Sequence, residues 1–222
     1  MAEKKRRNYK QNVLATERDR DLIRFLGEHG CATTAQIAQL YWPGRKVRTC
    51  AERLDLLVKA GFLHTTSVYS RGMEEQVYWI QQKGSRIFEK DVRDRFQLGK
   101  PAETEIAHIL GTNDILYKMN QKGAVKQFTN EHVLKSNKIR SGDEFQVGDA
   151  EVQYEVNGKT YTFTIEVDNG HYHGKQLHQK IQDFGTSGKP TLWVVYTKQR
   201  LSRLKELCHG YSNIRPVHFE SL

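Results

Sequence analysis

The Asn157-Gly158 pair lies between two runs of alternating apolar and polar residues and constrains the fold more than any other feature. Asn-Gly is the preferred pair for a two-residue β-hairpin turn, because both turn positions need a positive φ angle. Pairing the strands outward from this turn places Asp149 directly opposite Glu166, and Asp168 lies on the same face two positions further on. The sequence therefore predicts three carboxylates at one end of an antiparallel hairpin.

Two interpretations of these carboxylates are open. The apolar side chains of the hairpin lie on its other face: Ala150, Val152, Tyr154, Val156, Tyr161, Phe163, Ile165 and Val167. The acids therefore either face water on a half-exposed sheet or form a cation site. Facing like charges destabilise a sheet, and Mg²⁺ prefers oxygen ligands, so Asp149 and Glu166 are the predicted Mg²⁺ ligands. A bulge in either strand would change this register.

The segment GKQLHQKIQDF, which follows the acids, has the spacing of an amphipathic helix. Lys180 lies three residues after one apolar position of this helix and four before another, so we expect its side chain to lean toward the sheet. A lysine directed at clustered carboxylates can hold a phosphate or polarise an attacking water. The candidate catalytic residues are therefore Asp149, Glu166, Asp168 and Lys180.

Histidines near the same turn offer a different kind of metal site. His171, His173 and His178 could bind a transition metal together with Asp168. The intervening turn is too irregular to fix the directions of these side chains, and we favour histidines that face the surface or DNA.

The N-terminal part of the chain has the pattern of three helices followed by a hairpin. Thr16 and either Thr33 or Thr34 are predicted N-caps, and FLHTTSVY and EQVYWIQ are predicted strands. The third helix, RKVRTCAERLDLLVKAG, has one apolar stripe and one polar face. The stripe comprises Val47, Cys50, Ala51, Leu54, Leu57 and Val58. The outward face comprises Arg45, Lys46, Arg48, Thr49, Glu52 and Arg53.

Basic charge is concentrated in the same part of the chain. The net charge is +9, and residues 1–93 carry 18 Lys and Arg against 11 Asp and Glu, whereas the remainder carries 17 against 15. A basic helix suits the major groove, so double-stranded DNA is the predicted partner, and a homodimer is compatible with such binding. The predicted DNA contacts are Arg45, Lys46, Arg48, Thr49 and Arg53 of the helix, Tyr69 and Arg71 of the hairpin tip, and Lys4, Lys5, Arg6 and Arg7 of a basic N-terminal arm.

Cysteine spacing and hydropathy argue against several other classes of protein. Cys31, Cys50 and Cys208 are too far apart for a finger or redox motif, which favours a reducing cytoplasm. No apolar run reaches the roughly 20 residues that span a bilayer, and the basic start lacks the apolar stretch of a secretory signal. We predict a cytoplasmic protein with no membrane partner and no small-molecule ligand.

The pattern divides the chain into a basic arm (1–15), a helical DNA-binding domain (16–93), a linker (94–101) and an α/β domain (102–222). The last domain begins with a long helix, AETEIAHILGTNDILYKMNQKG, in which the polar Asn113 lies in the apolar stripe and needs a partner. Strands are predicted in VKQFTNEHVL, EFQVGDAEVQYEV, KTYTFTIEV and TLWVVYT. The predicted class is α+β, with the order α-β-β-β-α-β followed by a further helix and strand.

Two resemblances extend these predictions. RLDLLVKAGFL running into a hairpin, then QKGSRIF, is similar to the winged-helix repressor pattern, which implies a winged helix-turn-helix domain. The hairpin acids resemble the restriction-endonuclease-like PD-(D/E)xK core, in which an Asp opens one strand, Glu-x-Lys ends the next, and the acids bind Mg²⁺ for phosphodiester cleavage. Asp149 and Glu166 match the two acids, but Asp168 stands where the lysine is expected. Some members of that group carry the lysine on the following helix, as Lys180 would be.

A narrower resemblance covers more of the chain. AHILGTNDILYKM, VGDAEV, and IEVDNG followed by LHQKIQDF are similar to motifs of the plasmid replication-relaxation proteins, which combine a winged helix with a nuclease-like domain. This resemblance implies that His108, Asn113 and Asp114 support the four candidate catalytic residues in one cluster. It also implies a role in the maintenance of plasmid or mobile-element DNA.

Three functions are consistent with the sequence. The first is a DNA-binding protein of a plasmid, phage or mobile element, whose degenerate nuclease-like domain serves dimerisation, partner binding or DNA contact. The second is an active Mg²⁺-dependent endonuclease or nickase. The third is a simple winged-helix transcriptional repressor. The broken Glu-x-Lys motif at Asp168 places the first ahead of the second.

Overall fold

The computed structural model describes residues 14–70, 73–122, 125–141, 147–170 and 172–222. Several residues named above lie outside these ranges, namely Lys4, Lys5, Arg6, Arg7, Arg71 and His171. Within the described residues the protein is a mixed α+β structure with one three-stranded and one five-stranded sheet.

The first part of the chain forms three helices and an antiparallel sheet. The elements are α1 (Glu17–His29), β1 (Ala32–Thr33), α2 (Thr34–Tyr41), α3 (Val47–Lys59), β2 (Leu63–Ser70) and β3 (Met73–Ile80). Thr16 and Asp19 close α1 with a reciprocal capping box, and Thr33 and Gln36 do the same for α2. The sheet order is β1-β3-β2. The two-residue strand β1 was not predicted, because it is too short to show any periodicity.

The apolar stripe of α3 packs into the core of this part. Cys50, Leu54 and Leu57 are fully buried against α1, α2 and the sheet. Val47, which the spacing assigned to the same stripe, is instead 51% exposed. It is the first residue of the helix and lies beyond the reach of the core.

Residues 81–101 pack against the same hydrophobic core. Two short helices, α4 (Gln82–Ser85) and α5 (Lys90–Arg93), follow the hairpin. In the predicted linker, Phe96 is buried and its ring lies against Gly27 of α1. A Cβ atom added to Gly27 would lie only 2.6 Å from the nearest atom of that ring. The N–H of Gln97 also donates to the carbonyl of Gly27 at 2.7 Å. This segment therefore packs on α1, while the domain boundaries stay predictions.

The rest of the chain forms a five-stranded sheet with helices on both faces. Its elements are α6 (Glu103–Gln121), β4 (Val125–Asn130), α7 (Glu131–Ser141), β5 (Ala150–Val156), β6 (Lys159–Asp168), α8 (Gly174–Ser187), β7 (Thr191–Val195), α9 (Lys198–Leu207), β8 (Ile214–His218) and a 3₁₀ turn (Phe219–Ser221). The sheet order is β4-β5-β6-β7-β8, antiparallel from β4 to β6 and parallel from β6 to β8. The predicted order α-β-β-β-α-β is wrong at one point. The letters EHVL belong to the start of α7 and not to a strand, because the side chain of Asn130, the last residue of β4, accepts the N–H of Val133 and turns the chain.

The hairpin register is confirmed along the full length of β5. Asn157 and Gly158 have φ angles of 51° and 74°, and the pairing runs from Val156 with Lys159 to Ala150 with Ile165. Beyond that point the ladder is irregular. The N–H of Asp149 donates to the carbonyl of Ile165 at 2.9 Å, so Asp149 does not directly face Glu166 as predicted.

Both faces of the sheet are covered where the acids lie. Ile115 and Met119 of α6 pack on Ala150, Ile165 and other residues of one face. On the other face, α8 and α9 pack on Trp193 and Val195 of β7. Glu166 and Asp168 are consequently buried, with exposed fractions of 0% and 2%. The interpretation of a half-exposed, solvated face is therefore wrong for these two acids.

Helix α6 also packs against the first part of the chain. Ile106 and Leu110 form one buried cluster with Cys31, Val77 and Trp79. The three cysteines are all reduced and buried. Among the described helices, none has the length and apolar character needed to cross a membrane.

Candidate functional site

Lys180 of α8 and Glu166, near the carboxyl end of the central strand β6, form a buried ion pair. Lys180 of α8 donates from Nζ to Oε1 of Glu166 and, at 2.7 Å, to the hydroxyl of Tyr172. The ammonium also lies 4.1 Å from the centroid of the Tyr172 ring. Oε2 of Glu166 is buried and has no hydrogen-bond partner among the described residues. The sequence therefore placed Lys180 correctly next to Glu166, and the structure adds Tyr172 and one unsatisfied carboxylate oxygen.

Asp149 and His108 form a second pair beside the first. Nε2 of His108 on α6 lies 2.7 Å from Oδ1 of Asp149. The other oxygen of Asp149 accepts the N–H of Val167 at 2.6 Å. The N–H of Asp149 bonds to the carbonyl of Ile165, and its carboxylate accepts the N–H of Val167, so Asp149 closes the end of the β5–β6 ladder.

Burial and neighbouring charges shift the pKa values of these groups. Burial raises the pKa of Glu166 well above 4.5, the charge of Asp149 adds to the effect, and Lys180 opposes it. Burial alone would lower the pKa of Lys180, but Glu166 and Asp149 outweigh it and raise that pKa. Burial likewise disfavours charged His108, yet the hydrogen bond that it donates to Asp149 and the charge of that carboxylate raise its pKa above 6.5. The four side chains thus form two mutually compensating pairs.

Asp168 belongs to a separate cluster. Both Nε and Nη2 of Arg200 lie 2.8 Å from Oδ2 of Asp168, and the N–H of Gly170 donates to Oδ1 at 2.8 Å. The carboxylate is therefore fully engaged by α9 and its own turn. The implied single cluster containing Asp149, Glu166, Asp168 and Lys180 is wrong with respect to Asp168.

The side chains of Asn113 and Asp114 bond to residues of the N-terminal part of the chain. Buried Asn113 accepts from Nδ1 of His29 at 3.1 Å and donates to the carbonyl of Cys31 at 2.8 Å. Asp114 accepts from Nε2 of Gln36 at 2.6 Å. These two residues therefore join α6 to α1 and α2, and their support of the acid cluster stays a prediction.

His29 is the buried centre of this junction. Burial lowers the pKa of His29 to about 4, and the hydrogen bond that His29 donates to Asn113 opposes this shift. Its ring stacks on Phe25 of α1 at 4.2 Å and lies 5.8 Å from Phe128 of β4. The imidazole is neutral at pH 7 and acts as a structural contact between the two parts of the chain.

A cleft of about 550 Å³ opens between the N-terminal helices and the sheet. Its walls include His108, Asp149, Tyr172 and Lys180 on the sheet side and His29 and Asn113 on the helical side. The cleft gives solvent and ligands access to the two ion pairs. A phosphate or another polar group could approach Lys180 and His108 together from this side.

The side chains of the site do not fit a divalent cation as they are arranged. Both oxygens of Asp149 already accept hydrogen bonds, and the ammonium of Lys180 occupies one oxygen of Glu166. No group of three or more His, Cys, Asp or Glu side chains in the described ranges is arranged to hold a metal. Among the carboxylate oxygens of Asp149 and Glu166, Oε2 of Glu166 is the one with no hydrogen-bond partner in the described residues. Binding of Mg²⁺ stays a prediction.

The predicted histidine site does not assemble among the described residues. His173 is the N-cap residue of α8, and both His173 and His178 are exposed. Asp168, their predicted partner, is bound to Arg200. This arrangement agrees with the favoured interpretation of exposed histidines.

The polar face of α3 is exposed, with one exception. Arg45, Lys46, Arg48 and Thr49 are exposed around its N-terminal end. Arg48 pairs with Glu52 at 2.9 Å, a contact between two exposed side chains that contributes little. Arg53 was predicted to face outward, and this is wrong. It pairs with fully buried Asp19 at 2.5 Å and also donates to the carbonyl of Leu14.

Tyr69, near the tip of the β2–β3 hairpin, is 80% exposed. Tyr172 and Arg200 were missed, and the signals available for them differ. Tyr172 lies in an irregular turn whose side-chain directions have no sequence signature. Arg200 comes shortly after β7, and β6, α8 and β7 form a β-α-β unit. Because the two strands of such a unit are usually neighbours, the sequence could have placed Arg200 close to Asp168 at the end of β6.

Comparison with known families gives one match that covers most of the chain. The family model described as replication-relaxation matches residues 23–186, a range that includes α3, the long helix α6, the acids and Lys180. No curated protein and no solved structure matches the chain.

Proposed function

The chain belongs to the replication-relaxation family, and on that premise we propose that it is a DNA-binding protein of a plasmid, phage or other mobile element. In this proposal α3 recognises double-stranded DNA. The second part of the chain is a nuclease-like module that contacts DNA, a partner or a second copy without cutting DNA.

The observation that carries the proposal is the exposed basic end of α3. The side chains of Arg45 and Lys46 have no ion-pair or hydrogen-bond partner in the described part of the chain, and the side chain of Arg48 has only exposed Glu52. The element order α1-β1-α2-α3-β2-β3 supports a winged helix-turn-helix, in which the third helix enters the major groove and its N-terminal residues contact bases. The β2–β3 hairpin is then the wing, with Tyr69 near its tip.

The internal pairs support the non-cutting role of the second part. The strand order and the position of Lys180 on α8 favour a PD-(D/E)xK-like fold with a displaced lysine. However, His108 and Lys180 already compensate the two acids, and Asp168 binds Arg200. A site whose acids are already paired with its own cations is better suited to a structural or binding role than to metal-assisted cleavage.

The recognition proposal is tested by fluorescence anisotropy with a labelled DNA duplex over a salt series. We expect Arg45→Ala/Arg48→Ala to weaken binding and to reduce the slope of log affinity against log salt by about 1.8, at about 0.9 for each lost phosphate contact. Lys159→Ala/Arg215→Ala removes the same charge from exposed positions elsewhere and is the matched control. If both double variants bind and respond to salt as the wild type does, α3 is not the DNA-reading helix.

A further inference from the structure

A second cleft of about 710 Å³ lies at the carboxyl ends of β6 and β7, on another side of α6 from the first. Residues lining it include Asp168, Asn169, His173, Gln199, Arg200 and Arg203. Asn169 lines both clefts, so the two are adjacent. The carboxyl ends of neighbouring parallel strands are a general location for ligands in open α/β sheets. The motif resemblances gave this cleft no role.

Arg200 is held rigidly at the base of this cleft. Its Nε and Nη2 contact Asp168, and Nη2 also donates to the carbonyl of Tyr172 at 2.6 Å. Among the described residues, Nη1 has no hydrogen-bond partner and is available to a ligand. Because the internal contacts already fix the guanidinium, a ligand would bind it at little cost in side-chain entropy.

Arg203 adds a second positive charge on the same wall. It follows Arg200 by three residues on α9, which places both side chains on one face of the helix. Arg203 is exposed and has no ion pair within the described ranges. Asp168 is the only carboxylate among the lining residues, and Arg200 neutralises it. The cleft therefore carries a net positive charge, and exposed His173 and neutral Asn169 and Gln199 add further polar groups.

We propose that this cleft binds a backbone phosphate of DNA and so provides a DNA contact separate from α3. The proposal rests on the proposed function only in that DNA is the ligand. An arginine pair with one fixed and one mobile guanidinium suits a phosphodiester, because arginine donors match phosphate oxygens in a planar fork. A strand held here would pass Asn169 and reach the neighbouring cleft, where Lys180 and His108 lie.

The experiment measures duplex binding by anisotropy for Arg203→Ala and Arg203→Glu in the full chain. Each variant should weaken binding of all sequences to a similar extent, and Arg203→Ala should reduce the salt slope by about 1, as for one lost phosphate contact. Arg203→Glu should have the larger effect. Arg215→Ala and Arg215→Glu change an exposed arginine of the same sheet domain outside the cleft and are the matched controls. Thermal melting should show no change, because Arg203 is exposed.

The outcomes separate this proposal from that for α3. If Arg203 variants bind DNA as the Arg215 variants do, the cleft is not a DNA contact. A loss with Arg203→Glu but none with the α3 double variant would support the cleft and refute the role of α3. The reverse pattern would refute the cleft alone.

Calorimetry with adenosine monophosphate is a second experiment on the same cleft. Arg203-dependent nucleotide binding without any Arg203 effect on DNA binding would overturn the proposal in favour of a free-nucleotide site.

Discussion

Replacing Lys180 with methionine would leave a charged carboxylate buried without its cation. Glu166 is 0% exposed, and Lys180 is the only hydrogen-bond partner of its carboxylate in the described part of the chain. Methionine keeps most of the side-chain volume, so the expected effect is electrostatic and not one of packing. We therefore predict that Lys180→Met strongly destabilises the fold.

The magnitude follows from the cost of breaking a buried pair. Removing one partner of a buried ion pair costs about 3–5 kcal/mol in the free energy of unfolding. A domain of this size loses about 2–4 °C in melting temperature for each kcal/mol, so the melting temperature should fall by roughly 6–20 °C.

The pH dependence gives this prediction a specific signature. The folded-state pKa of Glu166 already lies above the ordinary value of 4.5. The stability that the protonated carboxyl contributes is therefore present below pH 4.5. It is lost as the pH rises through the folded-state pKa. Loss of Lys180 removes the charge that opposes this shift, so the pKa rises further. The deficit of Lys180→Met should therefore be smallest near pH 5 and largest at pH 7 and above.

Urea unfolding followed by circular dichroism measures these differences. Lys175→Met, which removes an exposed lysine from the same helix, is the matched control and should change stability by less than about 0.5 kcal/mol. Lys180→Met/Glu166→Gln removes both charges and should recover most of the lost stability. The argument fails if Lys180→Met unfolds like the control, or if the double variant is less stable than Lys180→Met.

Two further predictions concern buried groups of the N-terminal part. Burial alone would raise the pKa of Asp19, but hydrogen bonds from Arg53 and Thr16 outweigh burial and lower that pKa below 3.8. Arg53→Ala should therefore reduce the free energy of unfolding by about 1–3 kcal/mol at pH 7. This deficit should shrink in urea titrations as the pH falls below about 4, and a deficit independent of pH would contradict the role of the Asp19 charge. Burial holds the pKa of His29 at about 4, so the neutral ring contributes stability that is present above pH 6.5. This contribution, about 3 kcal/mol in all, is lost as the pH falls toward 4. His29→Gln should unfold less steeply with acid than the wild type over this range, and equal acid sensitivity of the two proteins would refute the assignment.

The sequence predicted what periodicity and turn chemistry determine. The Asn157-Gly158 turn set the hairpin register, and Thr16 and Thr33 marked the starts of their helices. The spacing of Lys180 within α8 was enough to bring it to Glu166, because helix geometry and the apolar stripe fix its direction. Local rules therefore accounted for the elements and for one of the two ion pairs.

Features that depend on long-range packing were missed. Asp149 leaves the ladder because its carboxylate binds His108 and the Val167 N–H, a choice that the strand pattern does not encode. Arg53 faces inward because buried Asp19, 34 residues earlier, needs a cation. Asn113 was expected to need a partner, but the partner, His29, lies on a helix that the sequence assigned to a separate domain. In each case a buried polar group found its partner far along the chain.

Supercoiled plasmid incubated with the protein and Mg²⁺ or Mn²⁺ tests the central claim most directly. The protein should retard the plasmid on a native gel, and the plasmid should still be supercoiled after the protein is removed. An Asp149→Ala/Glu166→Ala variant serves as the comparison for any cleavage. Retarded but intact plasmid is the predicted result. Nicked or linear product with the wild type and not with the variant would show an active endonuclease and contradict the account.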